Sequence, residues 1–146
     1  MTGRIALPNV TLCAVTSVNV ATTIAAMEQC LALAEFGRAI LFTDAEPLSL
    51  PANIDKIAIA TLESSSAYSR FVLHDLADWI ATSHCLIVQW DGFIINPSAW
   101  DPAFLGYDYI GAPWPQFEDG HDVGNGGFSL RSKRLMLAAR NPQFEN

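Results

Sequence analysis

Short apolar runs alternate along the chain with segments whose apolar residues recur at helical spacing. Six runs predict strands, at residues 10–16, 39–44, 56–60, 84–89, 107–112 and 128–131. The apolar spacing that starts at Val20 and runs to Ala34 predicts a helix, and Gly37 predicts its end. Serines at 64–66 and Ser132 are predicted N-caps of two further helices.

Alternation of strands and helices predicts a single α/β domain over residues 1–146, with a mostly parallel sheet flanked by helices. Ligands of such sheets bind beyond the carboxyl ends of the strands. Polar residues follow three of the predicted strands, and they make candidate ligand-binding positions: Thr16, Ser17 and Asn19, then Thr43 and Asp44, then Gln89 and Asp91. The alternative stays open that these strand ends are polar only because they face water.

Composition narrows the classes of protein that the chain can belong to. The formal net charge is −7, and most of the eight basic residues are scattered, which argues against a nucleic-acid partner. The mean hydropathy is high, at +0.24. No apolar run approaches the roughly 20 residues that a transmembrane helix needs, and no signal peptide is recognisable. We therefore predict a cytoplasmic protein whose three cysteines are buried reduced thiols: Cys13, Cys30 and Cys85.

Several common functional motifs are absent from the sequence. Neither a dinucleotide-binding glycine motif nor a P-loop follows the first strand, and there is no nucleophile elbow. The three histidines lack the spacing of metal ligands, and only His121, in a loop, is a candidate functional residue. These absences disfavour a dinucleotide-binding fold and a P-loop protein.

A glycine-rich loop at residues 123–127 leads directly into the last predicted strand. Glycine lets the backbone adopt left-handed conformations and approach a ligand closely. Exposed N–H groups of such a loop can hold a hydroxyl or an anion, so Asn125, Gly126 and Gly127 are candidate binding residues. A simple turn before a strand is the alternative interpretation.

Three sequence motifs together resemble those of a bacterial family of glycosyltransferase-like proteins of unassigned substrate. They are Gln-Trp-Asp-Gly-Phe at 89–93, Tyr-Ile-Gly-Ala-Pro-Trp-Pro at 109–115 and Gly-Asn-Gly-Gly-Phe-Ser-Leu-Arg-Ser at 124–132. More broadly, the order of elements looks like the nucleotide-binding half of a GT-A-type glycosyltransferase. In that fold a long helix precedes a strand that ends in an acidic motif. The resemblance implies a GT-A-like fold, a nucleotide-sugar donor and an acceptor whose identity is unknown.

The resemblance also implies roles for individual residues. Asp91 matches the last acid of the D-x-D motif, which binds Mn²⁺ or Mg²⁺, whereas Gln89 stands where the first acid is expected. Thr16 and Asn19 resemble residues that hold the base or ribose, and Arg70 resembles a basic residue that contacts the donor. An acid near the acceptor would act as general base in an inverting reaction, with two candidates in the loop before the glycines: Asp119 and Asp122.

Aromatic side chains near these motifs could stack on sugar or base rings, namely Trp90, Trp114 and Phe117. Three hypotheses therefore remain. The chain is a glycosyltransferase, a nonenzymatic nucleotide- or sugar-binding domain, or an inactive fragment of a longer transferase. Asp91, Arg70 and the glycine loop favour the first hypothesis. Gln89 and a C-terminus close behind the last strand favour the other two. The position of the C-terminus also predicts a shortened acceptor side.

Overall fold

The computed structural model describes residues 4–111 and 127–140, which form an α/β fold. The strands are β1 (Ile5–Val15), β2 (Ala34–Thr43), β3 (Asp55–Ala58), β4 (His84–Ile87), β5 (Tyr109–Gly111) and β6 (Ser129–Ser132). The helices are α1 (Val20–Leu33), α2 (Ser65–Arg70) and α3 (Lys133–Ala138). Helix α2 continues into a π-helical turn, Phe71–Asp75, and a 3₁₀ turn, Leu76–Trp79. Two further 3₁₀ turns precede β5, at Pro97–Ala99 and Pro102–Gly106.

All six strands belong to one sheet in the order β3-β2-β1-β4-β6-β5. The pairings among β3, β2, β1 and β4 are parallel, and β6 is antiparallel to both of its neighbours. The sheet is therefore mixed, and the expectation of a mostly parallel sheet is wrong. An apolar run reveals that a strand is buried but not its direction.

Apolar side chains on both faces of the sheet are covered by helices. On one face, Leu12 and Leu41 pack with Met27 of α1. On the other face, Phe42 and Ile87 pack with residues of the helical segment 65–79, including Leu76. The three predicted thiols are buried and free, as expected from the sequence. Among the helices that the structure describes, none has the length and apolar character that crossing a bilayer requires.

Two predicted N-caps are confirmed. The Ser64 hydroxyl oxygen accepts a hydrogen bond from the Ala67 N–H at 3.1 Å, and the Ser132 hydroxyl oxygen accepts one from the Leu135 N–H at 2.9 Å. Each cap satisfies one of the N–H groups that a helix leaves unpaired in its first turn. The Ser64 cap fixes the start of α2, which leads into the helical segment that covers one face of the sheet.

Gly37 does not end a helix. Helix α1 stops at Leu33, β2 begins at the next residue, and Gly37 lies inside β2, so this expectation is wrong. The pairing of β1 with β2 shifts register between Leu7 and Thr11. At this irregularity the Pro8 carbonyl oxygen approaches so closely that a Cβ on Gly37 would lie 2.5 Å from it. A close approach of two backbones, not a turn, explains why glycine is needed here.

Substitution of Gly37 by alanine should destabilise the fold by about 1–3 kcal/mol, because the added methyl group forces two paired strands apart. Urea unfolding measures the change in the free energy of unfolding. Gly106→Ala is the matched control, because a Cβ at Gly106 meets no atom of the described residues within 4 Å. Equal stability of Gly37→Ala and the control would contradict the steric account.

Candidate functional site

A crevice opens where β1 and β4 lie side by side at the carboxyl edge of the sheet. The chain leaves β1 toward β2 and β3 on one side, then crosses through the helical segment 65–79 to β4 on the other side. Such a reversal of strand order is where open α/β sheets bind ligands. The cavity found here has a volume of about 300 Å³. Its lining includes Thr16, Ser17, Glu63, Tyr68, Gln89 and Trp90.

The strand β4 ends in a tight turn that presents Gln89 and Asp91. Gln89 and Gly92 exchange backbone hydrogen bonds of 3.0 and 3.1 Å across this turn. The Gln89 side-chain amide donates a hydrogen bond to the Tyr68 hydroxyl oxygen at 3.3 Å, while Asp91 is exposed at the tip. The structure thus places Gln89 in the cavity lining and Asp91 on the exposed turn that follows it.

Thr16 and Asn19 form the turn that follows β1. The Val18 N–H donates to the Thr16 hydroxyl oxygen at 3.1 Å, and the Thr16 hydroxyl donates to the Val18 carbonyl oxygen. Asn19 adopts a left-handed conformation with φ of 53°, which asparagine tolerates better than most residues. Its carbonyl oxygen accepts hydrogen bonds from both the N–H and the hydroxyl of Thr23. Thr16 therefore lines the cavity, whereas Asn19 shapes the turn that leads into α1.

Asp44 lies after β2, where it joins two loops next to the crevice. Its carboxylate accepts a hydrogen bond from the Thr61 hydroxyl at 2.8 Å. The Ser17 hydroxyl oxygen in turn accepts a hydrogen bond from the Leu62 N–H at 2.8 Å. Hydrogen bonds from Ser17 and Thr61 lower the pKa of Asp44 below its ordinary value. Asp44 therefore accepts hydrogen bonds from hydroxyl groups of the loops that form the wall of the crevice.

Acid should weaken the fold partly through Asp44. A carboxyl whose pKa is lowered by folding stabilises the protein above its unfolded pKa, and this contribution is lost as pH falls through the folded pKa. We therefore expect Asp44→Asn to be less stable than wild type at neutral pH and to lose less stability between about pH 5 and pH 2. Urea unfolding at each pH measures this, and parallel pH profiles for the two proteins would contradict it.

Arg70 lies in an adjoining groove rather than in the cavity lining. It is exposed at the end of α2, and the groove that it lines has a volume of about 700 Å³. Trp79 and Asp78 lie farther along the same groove. Leu62 and Ser64 line both the groove and the crevice, so the two spaces meet at the segment that precedes α2.

Gly127 lies against the turn that carries Asp91. A Cβ built on Gly92 would be 3.2 Å from the Gly127 carbonyl oxygen and 3.1 Å from Cβ of Phe128. The end of the glycine loop and the acidic turn are therefore neighbours in space. The other predicted loop residues lie outside the described residues: Trp114, Phe117, Asp119, His121, Asp122, Asn125 and Gly126.

Asp91 could hold a divalent cation together with a ligand's phosphates. Within residues 4–111 and 127–140, no group of three or more His, Cys, Asp and Glu side chains could hold a metal ion by itself. Mg²⁺ is commonly bound through one or two carboxylates, waters and substrate phosphates, so a lone carboxylate on an exposed turn fits that chemistry. The Gln89 amide adds no charge, and its nitrogen is engaged by Tyr68.

Tyr68 and Glu63 line the cavity but were not among the residues that the sequence indicated as its ligands, whereas Ser17 was among them. Helical spacing placed Tyr68 on an apolar face, and its ring does pack against the apolar cluster beneath the helix. Its hydroxyl reaches the cavity only because α2 crosses above the end of β4. Ser17 was noted as a polar strand-end residue, which was the one sequence signal available for this part of the site.

The comparison with protein families covers β4 of this site but not β1. A family model described as protein of unknown function (DUF5672) matches residues 51–145. The chain belongs to this DUF5672 family. The match includes Tyr68, Gln89, Asp91 and Gly127 but not Thr16, although Thr16 lines the same cavity. No curated protein matches the chain.

Proposed function

We propose that this DUF5672 protein binds a nucleotide-sugar donor in the crevice between β1 and β4 and transfers the sugar to an acceptor. The observation that carries the proposal is the contact of Gly127 with the turn that carries Asp91, beside the switch point of the sheet. The order of elements agrees with a GT-A-like fold, since the helical segment 65–79 precedes β4 and β4 ends at the acidic turn.

The lining of the crevice suits the parts of such a donor. Hydroxyls of Thr16 and Ser17 and the carboxylate of Glu63 can hydrogen-bond to a base and ribose. Trp90 is 48% exposed at the cavity, so its ring is available for stacking on a base. Phosphates would then extend toward the turn of Gln89 and Asp91, and the sugar toward Gly127.

Transfer requires stabilisation of the negative charge that develops on the departing nucleoside diphosphate. A divalent cation, when held by Asp91 and the phosphates, supplies part of that positive charge. The first turn of α1 follows the turn after β1. Among the described residues it has neither an acidic residue nor a side-chain cap, which favours an anion nearby. Asp91 orients the donor, and the turn of Gln89 and Gly92 fixes Asp91 in place.

A nonenzymatic nucleotide- or sugar-binding domain is the second candidate function. Gln89 favours it, because an amide in place of the first acid removes one negative charge from the expected metal site. The geometry of the crevice is the same under both proposals. They differ in whether the bound donor is cleaved.

Screening a library of nucleotide sugars for release of nucleoside diphosphate tests the proposal. The expected result is release from one donor class that increases when Mn²⁺ is present. Binding without release, seen as a rise in melting temperature, would instead support the binding domain. Absence of both release and stabilisation across the library would contradict both functions.

A further inference from the structure

Arg131 lies on the sheet face that carries the crevice-forming helix. It pairs across the strands with Cys85 of β4, and Ser129 pairs with Ile87 at the end of the same strand. Cross-strand partners point to the same side of a sheet. Cys85 and Ile87 belong to the apolar cluster against which Tyr68 packs. Arg131 and Tyr68 therefore share one face of the sheet.

The guanidinium of Arg131 is held by two contacts. Its Nε donates a hydrogen bond to the Ser129 hydroxyl oxygen at 3.2 Å, and its Cζ lies 5.1 Å from the centre of the Tyr109 ring. Because Ser129 is level with Ile87, and Gln89 is two residues beyond Ile87, the Ser129 contact draws the charge toward the edge that bears the crevice.

Arg131 is half-buried and forms no ion pair within the part of the chain that the structure describes. Four of the other arginines there do form ion pairs: Arg4, Arg38, Arg134 and Arg140. A partly desolvated charge is costly unless an opposite charge approaches it. An anionic ligand would therefore offset the cost of partly burying the Arg131 charge.

Tyr68 offers a hydrogen-bond donor on the same side. Its hydroxyl oxygen accepts from the Gln89 amide at 3.3 Å, which leaves the hydroxyl proton for a ligand. Burial raises the pKa of Tyr68, and the Gln89 hydrogen bond and the positive charge of Arg131 offset only part of this rise. The phenol therefore stays protonated and can donate at neutral pH.

We infer that Arg131, assisted by the Tyr68 hydroxyl, binds the diphosphate group of the ligand on the side of the crevice where Tyr68 lies. The inference rests on the proposed function and adds to it a positive side chain that contacts the donor. The resemblance had implied this role for Arg70. An arginine fork pairs with phosphate oxygens through two parallel hydrogen bonds, and its charge does not depend on a metal. Its positive charge can take the place of part of the metal charge, because the neutral Gln89 weakens the expected metal site.

Calorimetric titration with inorganic pyrophosphate and with nucleoside diphosphates, in the presence of a metal chelator, tests the inference. Arg131→Gln should weaken binding of both probes by about tenfold or more, because a charged hydrogen bond to each is lost. Arg131→Lys should retain part of the affinity, since it keeps the charge but not the fork. Arg134→Gln is the matched control, because it removes the same charge from an exposed arginine that is paired with Asp108.

Each outcome separates the inference from the proposed function. If Arg131→Gln binds pyrophosphate and nucleoside diphosphates as tightly as wild type, the inference is overturned while the crevice proposal stands. If wild type binds pyrophosphate through Arg131 but binds no nucleoside diphosphate, the anion site stands and the proposed function falls. Equal weakening by Arg134→Gln would also overturn the inference, since only the overall charge would then matter.

Discussion

Phe42→Ala is expected to lower the free energy of unfolding by about 3–5 kcal/mol, the cost typical of removing a fully buried aromatic ring. The Phe42 ring is completely buried, and its centre lies 5.2 Å from that of Phe71 and 6.2 Å from that of Trp79. It therefore joins β2 to the π-helical and 3₁₀ turns. Because these turns continue the helix that carries Tyr68, the loss should also loosen the wall of the crevice.

Phe36→Ala is the matched control, because Phe36 lies in the same strand but is only partly buried and packs on the other face. We expect a clearly smaller loss for this variant. Urea unfolding measures both changes, and hydrogen exchange of the amides in residues 65–79 reports on the helix. Equal losses for the two variants would show that Phe42 has no special role in anchoring that helix.

Asp91→Asn is expected to remove the gain in nucleoside diphosphate affinity that Mn²⁺ provides, with little change in melting temperature. The substitution keeps the shape of an exposed turn residue but removes the charge that a divalent cation needs. Loss of a charged contact of this kind corresponds to about tenfold weaker binding or more. Calorimetric titration with and without Mn²⁺ measures the difference.

Asp101→Asn provides the control for Asp91→Asn. Asp101 is also exposed, its side chain accepts a hydrogen bond from the Ala103 N–H at 2.9 Å, and asparagine can make the same bond. It should leave the Mn²⁺-dependent gain intact. Equal nucleotide affinity of wild type with and without Mn²⁺ would refute a bridging metal and leave Arg131 as the cation at the site.

Much of the fold could be predicted because burial leaves a periodic pattern in the sequence. Runs such as 39–44 are apolar since helices cover both faces of the sheet, and Ser64 and Ser132 are caps since a helix start needs an acceptor. The direction of β6 and the role of Gly37 were not predictable in this way. Both depend on contacts between strands that are distant in the sequence, as with Pro8 and Gly37.

The candidate site was predictable to the extent that it follows from strand ends. Thr16 and Gln89 line one cavity because β1 and β4 are parallel neighbours with their carboxyl ends at one edge. Arg70, which was predicted from its place before the acidic motif, lies instead in the adjoining groove. The orientation of Arg131 could not be predicted, since it depends on the register of β6 with β4 and on its contacts with Ser129 and Tyr109.

Nuclear magnetic resonance titration of the ¹⁵N-labelled protein with nucleoside diphosphates tests the central claim most directly. The amide and side-chain signals that shift should cluster at the crevice, at Thr16, Ser17, Tyr68 and Gln89, and the Arg131 guanidinium should shift with them. Shifts confined to the adjoining groove around Arg70 and Trp79, or no shifts with any nucleoside diphosphate, would contradict the assignment of the crevice as the nucleotide site.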